Sequence, residues 1–205
     1  MSNEIRAVRP EDIPALADGL ARAFADNLTY GFLFNDETSR HDDLDHHLSE
    51  QLTAAIPAGT AGAAVGAVDS LAAAVWVRQP ASPPLGMWPQ GHRTPGVAER
   101  SLELVTSRPP GRPDGPSLLL MFVGVAPENQ HRGVGIRLLE RVAAEADHLR
   151  VTVATETPTV RARDWLVANG YEVTGTSAPA GDLPERWTLV RPASVKERSW
   201  FGFRG

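Results

Sequence analysis

Apolar residues recur along this chain with two different periods, and the switches between them mark out its elements. Ile5, Ala7 and Val8 sit among Arg6 and Arg9 as a short strand that Pro10 ends. After Glu11-Asp12, the positions Ile13, Leu16, Leu20 and Phe24 repeat every three or four residues and predict an amphipathic helix. An aromatic stretch follows, with Tyr30, Phe32 and Phe34 around Gly31. Leu44, Leu48, Leu52 and Ile56 then line one face of a second helix. Thr38 or Ser39 is placed to cap it, and Pro57-Ala58-Gly59 lies beyond its end. Two apolar runs, 64–68 and 71–77, flank Asp69-Ser70 and read as a β-hairpin. Residues 79–95 carry five prolines and Trp88 and read as a loop. A short helix over 97–105 and a second loop over 107–116 lead into 118–125, a nearly continuous apolar run that predicts a strand buried on both faces. Gly133-Val134-Gly135 opens a helix with Ile136, Leu138, Leu139, Val142 and Ala146 on its buried side. A strand over 151–155, a helix over 160–168 ended by Asn169-Gly170, and strands over 171–174 and 187–191 close the pattern.

The order β-α-α-β-β-(α)-β-α-β-α-β-β predicts one α/β (α+β) domain over residues 1–191. A tail over 192–205 carries Trp200, Phe201 and Phe203, which would most simply pack on the domain or on a second subunit. A chain of 205 residues has room for a sizeable core. The absence of cysteine excludes disulfides, thiolate metal sites, iron–sulfur clusters and cysteine nucleophiles. With 20 Lys+Arg against 25 Asp+Glu the net charge is -5, which argues against a nucleic-acid partner held by phosphate neutralisation. Met1-Ser2-Asn3-Glu4 lacks the basic and apolar regions of a signal peptide. The uncharged stretch 52–68 is mostly Ala and Gly, broken by Pro57, and too short for a bilayer. The expectation is a cytoplasmic globular domain without a membrane partner, monomer or homodimer.

Three features carry candidate chemistry. The turn around Gly133 and Gly135 has the physics of an anion cradle, because a helix N-terminus offers unpaired N–H groups and partial positive charge. Arg132 and Arg137 could add charge-assisted bonds. A strand–turn–helix corner that merely needs glycine is the plain alternative. No Lys-Ser/Thr follows the glycines, so this is not a Walker loop. A dinucleotide fold would want G-x-G-x-x-G after a strand near the N-terminus and a later acidic residue, whereas here the pattern comes late and has two glycines. On the second helix, Asp42 with His46 and Asp43 with His47 have i,i+4 spacing that can hold a metal, or they form a polar helix face; we assign no metal. The aromatics, Phe34 and Trp88 above all, could wall a planar substrate.

The longer pattern Gln130-x-x-Gly133-x-Gly135, after a strand ending Val125-Ala126-Pro127, resembles the acyl-CoA-binding motif of the GNAT acetyltransferases. The likeness extends over roughly residues 5–191, including Thr155-Glu156-Thr157 and the corner Asn169-Gly170-Tyr171. Shorter words, Ala23-Phe24-Ala25-Asp26 and Ala74-Val75-Trp76-Val77 among them, are similar to the puromycin N-acetyltransferase type of antibiotic-acetylating enzyme. The resemblance implies a mixed, mostly antiparallel sheet of about six or seven strands, flanked by helices and splayed at 118–125. It also implies bound acetyl-CoA or another acyl-CoA. Val123, Gly124 and Val125 would meet the pantetheine arm, and Gln130, His131, Arg132, Gly133, Val134, Gly135 and Ile136 would form the pyrophosphate cradle.

The family's tyrosine, four residues before the terminal glycine, is Leu166 here, beside Trp165; Tyr171 sits at the corner's core position. A thiol of pKa about 8.5 departs as thiolate at a cost of only ~2 kcal/mol at pH 7, whereas neutralising an alkylammonium of pKa about 10.4 costs ~4.6 kcal/mol. A base therefore matters more than an acid. Glu156 is the leading candidate, or else a helix N-terminal charge ahead of Thr157-Pro158. Asp26 could bind a cationic amine, or be a solvated loop acid. The function expected is transfer of an acetyl group to a small-molecule amine by direct attack. The alternatives are different acyl-CoA chemistry on the same fold, and a non-catalytic CoA-binding module.

Overall fold

The computed structural model describes residues 4–56, 62–80 and 91–194. Seven strands form one sheet in the order β1-β2-β3-β4-β5-β7-β6. They are β1 (Arg6–Ala7), β2 (Gly62–Ala67), β3 (Ala72–Gln79), β4 (Ser117–Val125), β5 (Thr152–Thr157), β6 (Glu172–Ser177) and β7 (Arg186–Arg191). All neighbours pair antiparallel except β4 and β5, which run parallel and are joined through α5 (Val134–Leu149). This is the mixed, mostly antiparallel sheet that the resemblance implies.

Each sheet face has its own core. On one, α1 (Ile13–Ala23), α2 (Leu28–Leu33), α3 (Arg40–Ala55) and α4 (Val97–Thr106) bury Leu16, Leu20, Phe32, Leu44, Leu48 and Leu104 with Val75 and Phe122 of the sheet. On the other, α5 and α6 (Val160–Ala168) bury Leu138, Val142 and Leu166 against Leu118, Leu120, Val153 and Leu189. Alternation along the central strands sends successive side chains to opposite cores, which is why these strands read as unbroken apolar runs.

Several expectations shift by local chemistry. The aromatic stretch contains the short helix α2, because Asn27 Oδ1 accepts from Thr29 N and Tyr30 N. Ser39 stands at the N-cap of α3 without a side-chain capping bond; its hydroxyl bonds Asp43 and Thr94. β5 runs on to Thr157, so Glu156 lies within the strand. No described helix is long and apolar enough to cross a membrane. Pro57-Ala58-Gly59, Trp88 and the aromatic tail lie outside the described residues.

Candidate functional site

β4 and β5 start together and part. Their ladder pairs Ser117 with Thr152, Leu118 with Val153 and Leu119 with Ala154, and goes no further, although β4 continues to Val125 and β5 to Thr157. A β-bulge accounts for the parting. Opposite β3, Val75 faces Phe122 while Trp76 faces Leu120, which leaves Met121 as the extra residue. A bulge bends its strand and increases its twist, so the half of β4 beyond Met121 swings away from β5. Thr155 Oγ1 donates to the Leu120 carbonyl at 3.0 Å and closes the vertex. Beyond it, the facing edges of β4 and β5 keep backbone groups that no strand partner takes.

At the open end, Pro127–Asn129 form a 3-10 turn and Gly133 caps α5 with φ 75°. That left-handed geometry is the one glycine adopts without cost, and it turns the chain straight into the helix. The cap has no side-chain bond, and none of the described groups accepts from the backbone N–H of residues 132–136. Gln130, expected to touch the cofactor, donates its Nε2 to the Val125 carbonyl at 3.1 Å and so ties the turn to the strand end. Arg22 anchors the turn from α1 through Glu128 at 2.9 Å and is also paired with Asp18. Gly124 serves packing: a Cβ there would lie 2.5 Å from Leu20 of α1 and 2.8 Å from Phe24, the C-cap of that helix. On the first turn of α5, Arg137 keeps Nε and Nη2 buried with no partner among the described residues.

Trp165 of α6 flanks this end, its ring 3.3 Å from a Cβ built on Gly135. Leu166 beside it is buried in the α5–α6 core, so this helix turns an indole, and no hydroxyl, toward the cradle. Tyr171 is core, 2% exposed, and burial pushes its phenol up to about 12.

Glu156 is engaged by two arginines. Arg112 places Nε at 2.8 Å and Nη2 at 2.6 Å from Oε1, and Arg186 Nη1 lies 3.6 Å from Oε2. Arg186 is itself buried and donates to the carbonyls of Leu104 and Ser107 at the end of α4. Sequence reasoning missed both arginines, since Arg112 sits in a Gly/Pro loop and Arg186 opens an apolar strand.

A cavity of about 490 Å³ lies among the α1–α2 connection, α3, α4 and the β6–β7 connection. Asp26 lines it, as do Phe32, Arg40, Arg100 and Asp182. Arg40 and Arg100 are pinned by Nε bonds, each 2.8 Å, to the Phe34 and Leu33 carbonyls at the end of α2. Glu156 is not on this lining. Phe34, expected at a substrate wall, is instead fully buried between Tyr30 and His92, because as the C-cap of α2 it turns out of the helix into the core on that face of the sheet. Trp88 is outside the described residues.

Asp42 pairs with Arg93 at 2.6 Å, and Asp43 accepts from Arg93 N, Thr94 N, Thr94 Oγ1 and Ser39 Oγ. The acids of the two i,i+4 pairs are thereby taken up in holding the segment ahead of α4. His47, 6% exposed, is buried between Tyr30 and Phe34, and desolvation drops its imidazole to about 3.

No family model matches the chain, and neither does any curated protein. Solved structures do. A structure described as histone acetyltransferase HPA2 and related acetyltransferase, from Corynebacterium glutamicum, superposes with a TM-score of 0.69 at 19% identity, covering 96% of this chain and 99% of that one. Arylalkylamine N-acetyltransferase 2 from Aedes aegypti gives 0.63 at 9% identity, covering 93% and 99%. PaiA N-acetyltransferase from Thermoplasma acidophilum, in complex with coenzyme A, gives 0.55 at 12% identity, covering 94% and 99%. At these identities the likeness establishes the fold: the chain has the architecture of the GNAT acetyltransferases.

Proposed function

We propose that this chain is an acyl-CoA-dependent N-acyltransferase that moves an acetyl group to an amine of a small molecule by direct attack. The observation that carries the reading is the parting of β4 from β5 at Met121, beside an α5 N-terminus whose amides have no acceptor within the described residues. A pyrophosphate fits that terminus by charge and by donor geometry. The edges of β4 and β5 offer backbone groups to an amide-bearing arm such as pantetheine. Residues 131–136 would hold the pyrophosphate through main-chain N–H, and Val123 and Val125 would hold the arm. Acetyl-CoA supplies an activated thioester. Without cysteine the protein has no acyl-cysteine relay, so the amine would attack in a ternary complex.

The acceptor enters the 490 Å³ cavity, where Asp26 and Asp182 attract an ammonium group and Arg40 and Arg100 add positive charge to the lining. Small-molecule acetylation is supported by the arylalkylamine enzyme among the neighbours. The resemblance to the puromycin N-acetyltransferase type favours a natural-product or antibiotic amine. Glu156 takes the ammonium proton, through water, on Oε2, which Arg186 approaches only to 3.6 Å while Arg112 occupies Oε1 at 2.6 and 2.8 Å. The ion pairs themselves favour a second reading, in which Glu156 positions the loop around Arg112 and touches no reacting atom.

Release of free thiol from acetyl-CoA with a panel of amines, run beside calorimetric CoA binding, tests the assignment. Turnover with at least one amine is expected. Tight CoA binding with no turnover favours the CoA-binding module, and absence of CoA binding removes the whole reading. Glu156→Gln separates the two roles: a base variant loses the acidic limb of the pH–rate profile. A positioning variant keeps that limb and matches Arg112→Ala in rate.

A further inference from the structure

We propose that His46, Glu50 and His92 form a divalent-metal site of the zinc type, stapling the segment ahead of α4 to α3. One ligand atom from each residue lies within 4.8 Å of the other two. His46 and Glu50 are one turn apart on α3, with Nε2 and Oε1 at 3.7 Å. A tetrahedral zinc with N and O ligands near 2.0–2.2 Å sets them roughly 3.3–3.5 Å apart, so modest side-chain rotations close the set. Two imidazoles and a carboxylate suit zinc better than the hard cations, which prefer all-oxygen cages. Three protein ligands leave a fourth position for water.

The site is built rather than accidental in its support. The His92 ring stacks on Phe34 at 4.9 Å and 11°, and stands edge-on to His46 at 5.1 Å and 69°. The backbone beside it is clamped to α3, with Arg93 N at 2.7 Å and Thr94 N at 2.9 Å from the Asp43 carboxylate. Spacing on the helix pointed to Asp42 with His46 and Asp43 with His47. The structure instead spends both aspartates on carrying His92 in from another part of the chain. A metal there would fix the distance between α3, which bears Arg40, and α4, which bears Arg100.

The test uses untagged protein, stripped with chelator and titrated with Zn²⁺ and with Co²⁺. We expect one equivalent bound and, for Co²⁺, the intense visible absorption of a four-coordinate N/O site. His46→Ala and His92→Ala should abolish saturable binding, and Glu50→Gln should weaken it by about tenfold or more, as even an outer-shell loss does. Added Zn²⁺ should raise the melting temperature of the parent and not of these variants. His148→Ala, at an exposed histidine on α5, should bind as the parent does. His46 is half exposed, so its variant keeps the core intact and decides the matter if His92→Ala does not fold. Absence of saturable binding, or binding retained in His46→Ala, overturns the proposal.

Discussion

Replacing Gly175 by alanine puts a methyl group where the Pro110 carbonyl now lies. The added Cβ would stand 2.0 Å from Pro110 O and 2.6 Å from Pro110 C, both backbone atoms that no rotamer change can move aside. Ordinary contact begins at 3.4 Å, so the loop must retreat by about 1.4 Å, the difference of the two distances. Arg112 is two residues further along that loop. A shift of this size takes its 2.6 and 2.8 Å bonds to Glu156 past the roughly 3.2 Å limit of a useful hydrogen bond. Overpacking of this kind costs about 1–3 kcal/mol, and for a domain of this size each kcal/mol lowers the melting temperature by about 2–4 °C. Urea unfolding followed by tryptophan fluorescence measures the cost. Gly115→Ala is the control, since a Cβ there meets nothing within 4 Å. In an Arg112→Ala background part of the penalty should vanish, because the bond that the shift breaks is already gone. A Gly175→Ala protein as stable as the Gly115→Ala control would refute the docking of this loop on β6 and, with it, the structural route to Glu156.

Gly135→Val wedges α5 away from the Trp165 ring, which is 3.3 Å from the Cβ position, and should weaken CoA binding by tenfold or more on the order expected for about 1.4 kcal/mol; unchanged affinity in calorimetry would place the cofactor elsewhere. Asp43→Ala strips the acceptor from the Arg93 and Thr94 backbone amides and from two hydroxyls that can still bond each other, and should destabilise by about 1–3 kcal/mol in urea titration. Burial raises the Asp43 carboxyl, but bonds from Thr94, Arg93 and Ser39 outweigh it and hold the group below its ordinary range. Its contribution is therefore complete above the unfolded pKa of about 3.9 and fades as pH falls through the folded value, a component of acid unfolding that Asp43→Ala should lack. Tyr171→Phe removes a buried hydroxyl that has no partner among the described residues, and should leave stability and thiol release unchanged within about 0.5 kcal/mol; a collapse of turnover with folding intact would make Tyr171 the missing acid.

The elements encoded by local pattern were legible. The apolar run through Leu118 and Leu120, and the glycine turn into α5, placed the strand and the helix that the proposed cofactor site needs. What parts the sheet was not. Nothing in Leu119-Leu120-Met121-Phe122 marks a bulge, because the extra residue is defined only by register against β3. The cavity was hidden for a similar reason: Asp26, Arg40, Arg100 and Asp182 come from four separate segments with no shared motif. Asp26 and Phe34 were equal candidates in sequence, and burial separates them, since one lines the cavity and the other is shut in the core. The i,i+4 spacing after His41 offered pairs on one helix, while the third side chain near His46, that of His92, arrives only through tertiary folding.

The distribution of charge follows the demands of the proposed reaction. Loss of thiolate from CoA needs little help near neutral pH, about 2 kcal/mol, and the α6 wall that flanks the cradle presents Trp165 and buries Leu166. Freeing an alkylamine from its proton costs about 4.6 kcal/mol, more than twice as much. For the amine the proposed reaction has Asp26, Asp182, Arg40 and Arg100 around the cavity and, apart from that lining, Glu156 between Arg112 and Arg186 near the end of β5. A tyrosine introduced at Leu166 should therefore do little for turnover, whereas neutralising Asp26 should raise the KM for a cationic acceptor and leave CoA binding unchanged. An activity gain of tenfold or more from Leu166→Tyr would show that departure of the thiol, and not the amine, limits the chemistry.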